Sequence, residues 1–423
     1  MSAVKKVVVA GAGFGGLKAY RRLAKQFKNN SAVELTLIND VNYFLFTPLL
    51  HEVATGSLFP ENIIVPLPPL ATGPGRRFFV GRVESVLLNN QEVLTSHGAV
   101  KYDYLVLALG SENNFYDTPG AAEHTLPLKD LDDAARIKNQ IISRFEEAQH
   151  YSADRAKFKE LLTFVIVGGG PTGVEMAGEL ADFCRGTFAK LYPALAEAAR
   201  IVVVQKDNHI LPQFSDQLRR RSLSILGRKG VEVLVNTGVE AIKSGQVNLS
   251  DGQKIAAGTV IWAAGVKPRE VKFDRPIKTE RGRLVVNEHL QLESDEAIFA
   301  IGDVAAYFDP ASQAPLPALA QVADREAKTA AHNVASLITG QALKPFKYRS
   351  QGSLLSLGSW RGAGEVLGFH FAGRLAWLLW RAVYWAKMPT AGKKLQILVD
   401  WFLIAFSPRD VSLLPFTKDD IHQ

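Results

Sequence analysis

Two stretches of the chain share one design. KVVVAGAGFGGLKAY (residues 6–20) and TFVIVGGGPTGVEMAGEL (residues 163–180) each run from a short β-branched segment through G-x-G-x-x-G into a helical pattern. In the first copy, residues 7–10 predict a buried parallel strand, 16–27 an amphipathic helix and 33–38 the next strand. Gly11 permits a tight turn, Gly13 lets a pyrophosphate approach the backbone, and Gly16 lets the helix pack closely on the strand. The helix start directs unpaired N–H groups at the loop 11–16, which also holds Ala12, Phe14 and Gly15. In the second copy Gly168, Gly170 and Gly173 follow strand 164–167, and Pro171 and Thr172 open the helix. The pattern predicts an α/β chain with two Rossmann-like dinucleotide-binding domains, one for a resident FAD and one for a visiting NADH.

The residues beyond each cradle refine this. An acid at the end of the second strand holds the ribose hydroxyls in such folds. The first copy ends in Asn39-Asp40, so either Asp40 serves or Asn39 bonds the ribose more weakly. The second ends strand 200–204 in Gln205-Lys206. Gln205 does not repel a 2′-phosphate and Lys206 could attract one, which opens the site to NADPH as well as NADH; a solvent-exposed Lys206 is the alternative. Glu175 and Glu179 share one face of the second helix. Glu175 reads either as a group near the cofactors or as a carboxylate answering the helix dipole.

Two strands closing on small residues, KYDYLVLALGS (101–111) and KIAAGTVIWAAGV (254–266), come one after each cradle. Their turns place Ala108 and Gly110, and Ala264 and Gly265, close to the cofactors. AIFAIGDVA (297–305) delivers Gly302 and Asp303, with Asp303 a ribityl partner, a helix N-cap, or both, since the two roles are compatible. VNYFLFTPLLHEVATG (41–56) is unusually apolar for a loop; Pro48 and Leu49 suit the wall of a pocket for a lipid-like acceptor, and His51 reads as a proton carrier or a packed histidine. A helix from 319 carries Ala320 and Gln321 at its start.

At 423 residues the chain suits two or three domains. The reading divides it as 1–117 and 284–342 for FAD, 118–283 for the nicotinamide nucleotide, and 343–423 for a C-terminal region. That region explains the net charge of +7. Residues 366–410 hold nine aromatics, six Lys or Arg and two acids, including Trp377, Trp380, Trp385 and Trp401. Segments 374–387 and 395–406 read as helices joined by a basic loop, 388–394. Each is too short to span a bilayer, and tryptophan with basic residues favours docking in the interface plane of an anionic membrane; a dimer interface or a helical cap on the core is the alternative. Nothing points to nucleic acid or to a metal site. Cys184 is the single cysteine, which excludes a redox-active disulfide.

Taken together, VVVAGAGFGGL, FTPLLHEVATG, FVIVGGGPTGVEMAGEL, TVIWAAGV, AIGDVA, LAQVA, WLLWRAVYWAK and DWFLIAFSPRD resemble the type II NADH dehydrogenases, single-subunit NADH:quinone oxidoreductases that pump no protons. The resemblance implies FAD contacts at Gly11–Gly16, Asn39, Asp40, Val83, Asp303, Ala320, Gln321 and Lys387, with Glu175 and Gln321 lining the flavin's reactive faces. Lys387 would favour the anionic reduced ring, or snorkel to headgroups. It further implies a membrane quinone as acceptor near Pro48, Leu49 and Gln321, a homodimer, and a monotopic position on the cytoplasmic face of a bacterial inner membrane. The rivals are a sulfide:quinone oxidoreductase, which needs a cysteine pair, a soluble reductase serving a protein acceptor, and a nucleotide-sensing scaffold.

Overall fold

The computed structural model describes residues 4–350, 352–366, 368–404 and 406–413. The chain forms two compact units, one of Met1–Leu45, Val65–Glu112 and Val266–Ser350, the other of Phe46–Ile64, Asn113–Gly265 and Gln351–Gln423. The units therefore divide at 112/113 and 265/266, where the sequence reading set 117/118 and 283/284. The C-terminal region is no separate body: it belongs with the second cradle, as does the apolar stretch 46–64.

The first unit is built on a six-stranded sheet in the order Gln291–Leu292, Asp295–Ala300, Tyr104–Leu107, Lys5–Ala10, Val33–Asn39, Arg76–Val80. Its central strands are parallel, in registers such as Val7↔Leu35 and Val7↔Tyr104. Val7 to Ala10 are buried without alternation, and a strand buried on both faces needs apolar residues throughout. The helices Phe14–Gln26 and Ala320–Thr339 pack on each other. Gly340 ends the latter in the left-handed conformation, φ +70°. The expected strand 101–111 is broken: Gly98–Lys101 ends a meander, Tyr104–Leu107 enters the main sheet, and Ser111–Asn113 is separate.

The second unit carries a five-stranded parallel sheet ordered Leu126–Pro127, Thr259–Trp262, Thr163–Val167, Arg200–Val204, Val231–Leu234. The helix Leu131–Ala148 is fixed at its start by a capping box between Asp130 and Asp133. The C-terminal region begins with an antiparallel sheet, Gly352–Ser356, Gly362–Val366 and Phe369–Gly373, which sequence reasoning missed. The helices Arg374–Lys387 and Ala391–Ile404 come next. The second starts earlier than expected, so Lys393 and Lys394 are helical; after Pro389 nothing breaks the pattern. Gly178 lets the helix Pro171–Asp182 meet this region: a Cβ there would stand 2.4 Å from the Leu357 carbonyl carbon.

The tryptophans correct one expectation. Trp377, Trp380 and Trp401 are buried, Trp380 completely. The exposed apolar face of the two helices is made instead by Leu375, Leu378, Leu395, Leu398, Val399, Phe402 and Leu403, with Phe402 at 65% exposure. Among the described residues no helix is long and apolar enough to cross a membrane.

Candidate functional site

Each unit builds its cradle by the same rule. In the first, Gly11 has φ +100° and a Cβ there would lie 2.2 Å from the Ala108 carbonyl oxygen; at Gly16 it would lie 1.8 Å from the Gly11 carbonyl oxygen. These glycines are demanded by the fold itself. A Cβ at Gly13 would meet nothing within 4 Å. No protein atom occupies that position, which leaves the loop backbone open to approach from outside. The second cradle repeats this. A Cβ at Gly168 (φ +107°) would lie 2.6 Å from the Ala263 carbonyl and one at Gly173 1.9 Å from the Gly168 carbonyl oxygen, whereas one at Gly170 would meet nothing within 4 Å.

At the end of Val33–Asn39, Asn39 braces the first loop. Its Oδ1 accepts the Ala12 N–H at 2.9 Å and its Nδ2 donates to the Val41 carbonyl at 2.9 Å. Asp40 pairs with Arg269 at 2.6 Å. A cavity of about 410 Å³ opens here, lined by Gly11, Asn39, Asp40, Val83, Leu109 and Arg269 among others. Four of the residues that sequence reasoning assigned to FAD thus share one cavity. Ala108 is buried where the Gly11 turn passes, and Gly110 has φ +74° with open space around its Cβ position.

Gly302 (φ +72°) opens a short 3-10 turn, Gly302–Val304. Asp303 is not its N-cap, because Ile301 holds that position; the Asp303 carboxylate accepts the Ser111 hydroxyl instead. Sequence reasoning missed Glu326, which is fully buried and accepts the Gly302 N–H at 2.6 Å. Burial pushes its carboxyl up to about 7, opposed by the Gly302 hydrogen bond and Arg283. Ala320 and Gln321 form the first turn of Ala320–Thr339, Gln321 half-buried.

In the second unit Gln205 does for its loop what Asn39 does for the other. Its Oε1 accepts the Gly169 N–H at 2.7 Å, and its Nε2 donates to Asp207 Oδ2 at 2.7 Å. Pro171 and Thr172 form the first helical turn. Ala264 is half-buried, and Gly265 lies against Tyr116, whose Oη would be 2.2 Å from a Cβ.

Behind this cradle lies a buried polar cluster. Glu175 Oε1 accepts the Ser356 N–H at 3.0 Å, and Glu175 Oε2 is 4.0 Å from His51 Nδ1. Burial pushes the Glu175 carboxyl up to about 8, so it holds its proton at neutral pH. Glu52 and Glu179 add to that rise, and the Ser356 hydrogen bond opposes it. His51 is pulled down to about 3, first by burial and then by Arg409. It packs against Trp380, with ring centroids 5.7 Å apart. Glu52 accepts from Trp401 Nε1 at 2.9 Å and is raised to about 7 by burial. Arg381 lies between the Trp377 and Trp401 rings at 3.9 and 4.4 Å from their centroids. Glu179 pairs with Arg409 at 2.7 Å. These partners are up to 349 residues apart in the chain, and no local motif announces them.

Pro48 and Leu49 lie in the 3-10 turn Thr47–Leu49, Leu49 buried. Phe46, just before it, meets Tyr384 edge-on at 6.1 Å. Lys387, in the last turn of Arg374–Lys387, is exposed with Nζ 5.6 Å from the Tyr384 ring centroid. Glu175, Pro48, Leu49 and Lys387 therefore belong to the second unit and Gln321 to the first. Cys184 is buried and its thiol is pushed up to about 12, mainly by that burial. It is an inert core residue.

Residues 5–327 match the pyridine nucleotide-disulphide oxidoreductase family. The chain is 32% identical to the type II NADH:quinone oxidoreductase of Staphylococcus haemolyticus, across 88% of this chain and 92% of that one. It is 28% identical to the internal alternative NAD(P)H-ubiquinone oxidoreductase A1, mitochondrial, of Arabidopsis thaliana, across 96% and 85% of the two chains. Its fold matches that of NDH2 from Plasmodium falciparum in complex with NADH, with a TM-score of 0.89 over 97% of this chain and 100% of that one, at 20% identity.

Proposed function

The chain belongs to the pyridine nucleotide-disulphide oxidoreductase family and, within it, to the type II NADH:quinone oxidoreductases, and from that premise we propose how its residues divide the work. The Gly11–Gly16 cradle holds FAD and the Gly168–Gly173 cradle receives NADH. The observation that carries this is the open Cβ position at Gly13 and again at Gly170, between glycines that the fold itself demands. When bound, FAD supplies a ring that takes a hydride from NADH and passes two electrons to a quinone.

The chain's own residues do the rest. The N–H groups of Phe14–Gln26 face the pyrophosphate, and Asn39 fixes the loop that presents them. Asp40 and Val83 border the cavity that suits the adenosine end. Asp303, oriented by Ser111, is the partner for the ribityl hydroxyls. Within the first unit Ala108, Gly110, Gly302, Ala320 and Gln321 complete the cofactor contacts, and within the second Ala264, Gly265 and Lys387 do so. Quinone reduction takes up two protons, and Glu175, neutral and held by the Ser356 N–H, is a proton donor matched to that demand. Pro48 and Leu49, in the turn Thr47–Leu49 of the second unit, border the quinone.

The enzyme acts from the cytoplasmic face of a bacterial inner membrane as a monotopic homodimer. The support for docking is the exposed apolar face around Phe402, beside the helical Lys393 and Lys394. A sulfide:quinone oxidoreductase is disfavoured because it needs two reactive cysteines.

The test is steady-state oxidation of NADH by a soluble quinone analogue, with flavin absorbance and the mass in detergent measured on the same preparation. One FAD per chain and rapid, quinone-dependent turnover are expected. Protein that stays colourless when offered FAD, or that oxidises NADH without regard to quinone, would refute the reading.

A further inference from the structure

The two cradles differ at one chemical point. In each, an amide side chain at the end of the second strand accepts a loop N–H, from Ala12 in the first and Gly169 in the second. In each, the amide nitrogen then donates to the residue two positions on. For Asn39 that acceptor is the neutral Val41 carbonyl; for Gln205 it is the Asp207 carboxylate. The second cradle thus has an anion tied by one side chain to its glycine loop.

The surroundings hold that anion in place. Asp207 has its backbone carbonyl pinned by the Asn236 N–H at 2.9 Å, and Thr237 N–H bonds the Gln205 carbonyl at 3.0 Å. Gly169 is confined by Gln205 and Ile210, and its carbonyl accepts the Leu211 N–H at 2.8 Å. Gln205 is buried while Asp207 is exposed, so the carboxylate meets solvent and any ligand that lies along the strand end. Lys206 does not offset it. Its stem lies over Gly238, the Lys206 Cγ 3.9 Å from the Cβ position there. Arg219, on the next helix along the chain, is engaged with the Leu211 and Pro212 carbonyls and with Asp216.

We propose that Asp207, positioned by Gln205, reads the adenosine ribose of the incoming nucleotide, accepting from its 2′-hydroxyl and repelling a 2′-phosphate. It is the specificity-determining residue for NADH over NADPH. The role normally filled by an acid on the strand end has moved two residues along, with a glutamine as its relay. This reverses the expectation from Gln205 and Lys206 alone, and it rests on reading the Gly168–Gly173 cradle as the nicotinamide nucleotide's.

The test is equilibrium binding by calorimetry of ADP-ribose and of 2′-phospho-ADP-ribose to the FAD-loaded protein and to Asp207→Asn and Asp207→Ser. Neither ligand undergoes hydride transfer, so the readout is independent of turnover. Wild type should bind ADP-ribose at least tenfold more tightly than its 2′-phosphate. Both variants should narrow that ratio by fivefold or more, chiefly by tighter binding of the phosphorylated ligand. Asp207 is exposed, and circular dichroism will confirm that both variants fold. An unchanged ratio overturns the role of Asp207 alone. Failure of wild type to bind either ligand overturns the assignment of the cradle, and this inference with it.

Discussion

Glu175→Gln should make the protein more stable, and increasingly so as pH rises. The wild-type carboxyl is almost enclosed, 13% of its side chain exposed, and lies beside Glu52 and Glu179. Burial moves it from an ordinary 4.5 up to about 8. Between those values the unfolded chain has released this proton and the folded chain retains it. Folding therefore takes up a proton, and each unit of rising pH removes about 1.4 kcal/mol from stability. The contribution is fully present below 4.5 and is lost as pH climbs through about 8, at most about 5 kcal/mol over the span. Glutamine keeps an oxygen for the Ser356 N–H but carries no proton to retain. The variant lacks this linkage, so we expect it to gain about 1.4 kcal/mol per pH unit over wild type between pH 5 and 7. The assay is urea denaturation of both proteins, FAD-loaded and in one detergent, at pH 5, 6, 7 and 8. A difference in stability that stays flat over this range would show that Glu175 is already ionised in the folded state, and the proton-donor role would go with it.

Gly13→Ala should retain the fold and lose bound flavin, whereas Gly16→Ala should fail to fold, because only the latter's Cβ meets backbone; flavin absorbance and circular dichroism separate the two outcomes. Arg381→Met removes the cation between Trp377 and Trp401 and strips Glu52 of its strongest compensating charge; a loss of about 3 kcal/mol in urea denaturation is expected. Phe402→Ser with Leu403→Ser should lower sedimentation with anionic vesicles severalfold while NADH oxidation by a soluble quinone persists, since both side chains are exposed.

The parts of this protein readable from sequence are those in which backbone geometry forces a residue type. Gly11, Gly16, Gly168 and Gly173 are glycines because the carbonyls of Ala108 and Gly11, and the backbone of Ala263 and Gly168, leave no room for a Cβ. Any chain using this turn needs them, so the motif and the fold around both glycine loops could be read together. The orientation of the tail could not. Arg374–Lys387 carries Leu375 and Leu378 on one face and Trp377 and Trp380 on another. Both faces are apolar, and periodicity alone does not say which meets protein. Burying the tryptophans wins because Arg381, Trp401 and Glu52 offer them partners, and those partners are distant in the chain.

The same limit explains Asn39 and Gln205, which read in sequence as departures from an expected acid. Each must accept a loop N–H and donate onward from the same side chain. A carboxylate accepts only. An ionised Glu at position 205 could take the Gly169 N–H, yet it would face Asp207 as a like charge where Gln205 now donates a hydrogen bond. The amide is therefore part of the cradle's construction in both units, and the identity of its onward acceptor, a carbonyl in one and a carboxylate in the other, is where their electrostatics diverge.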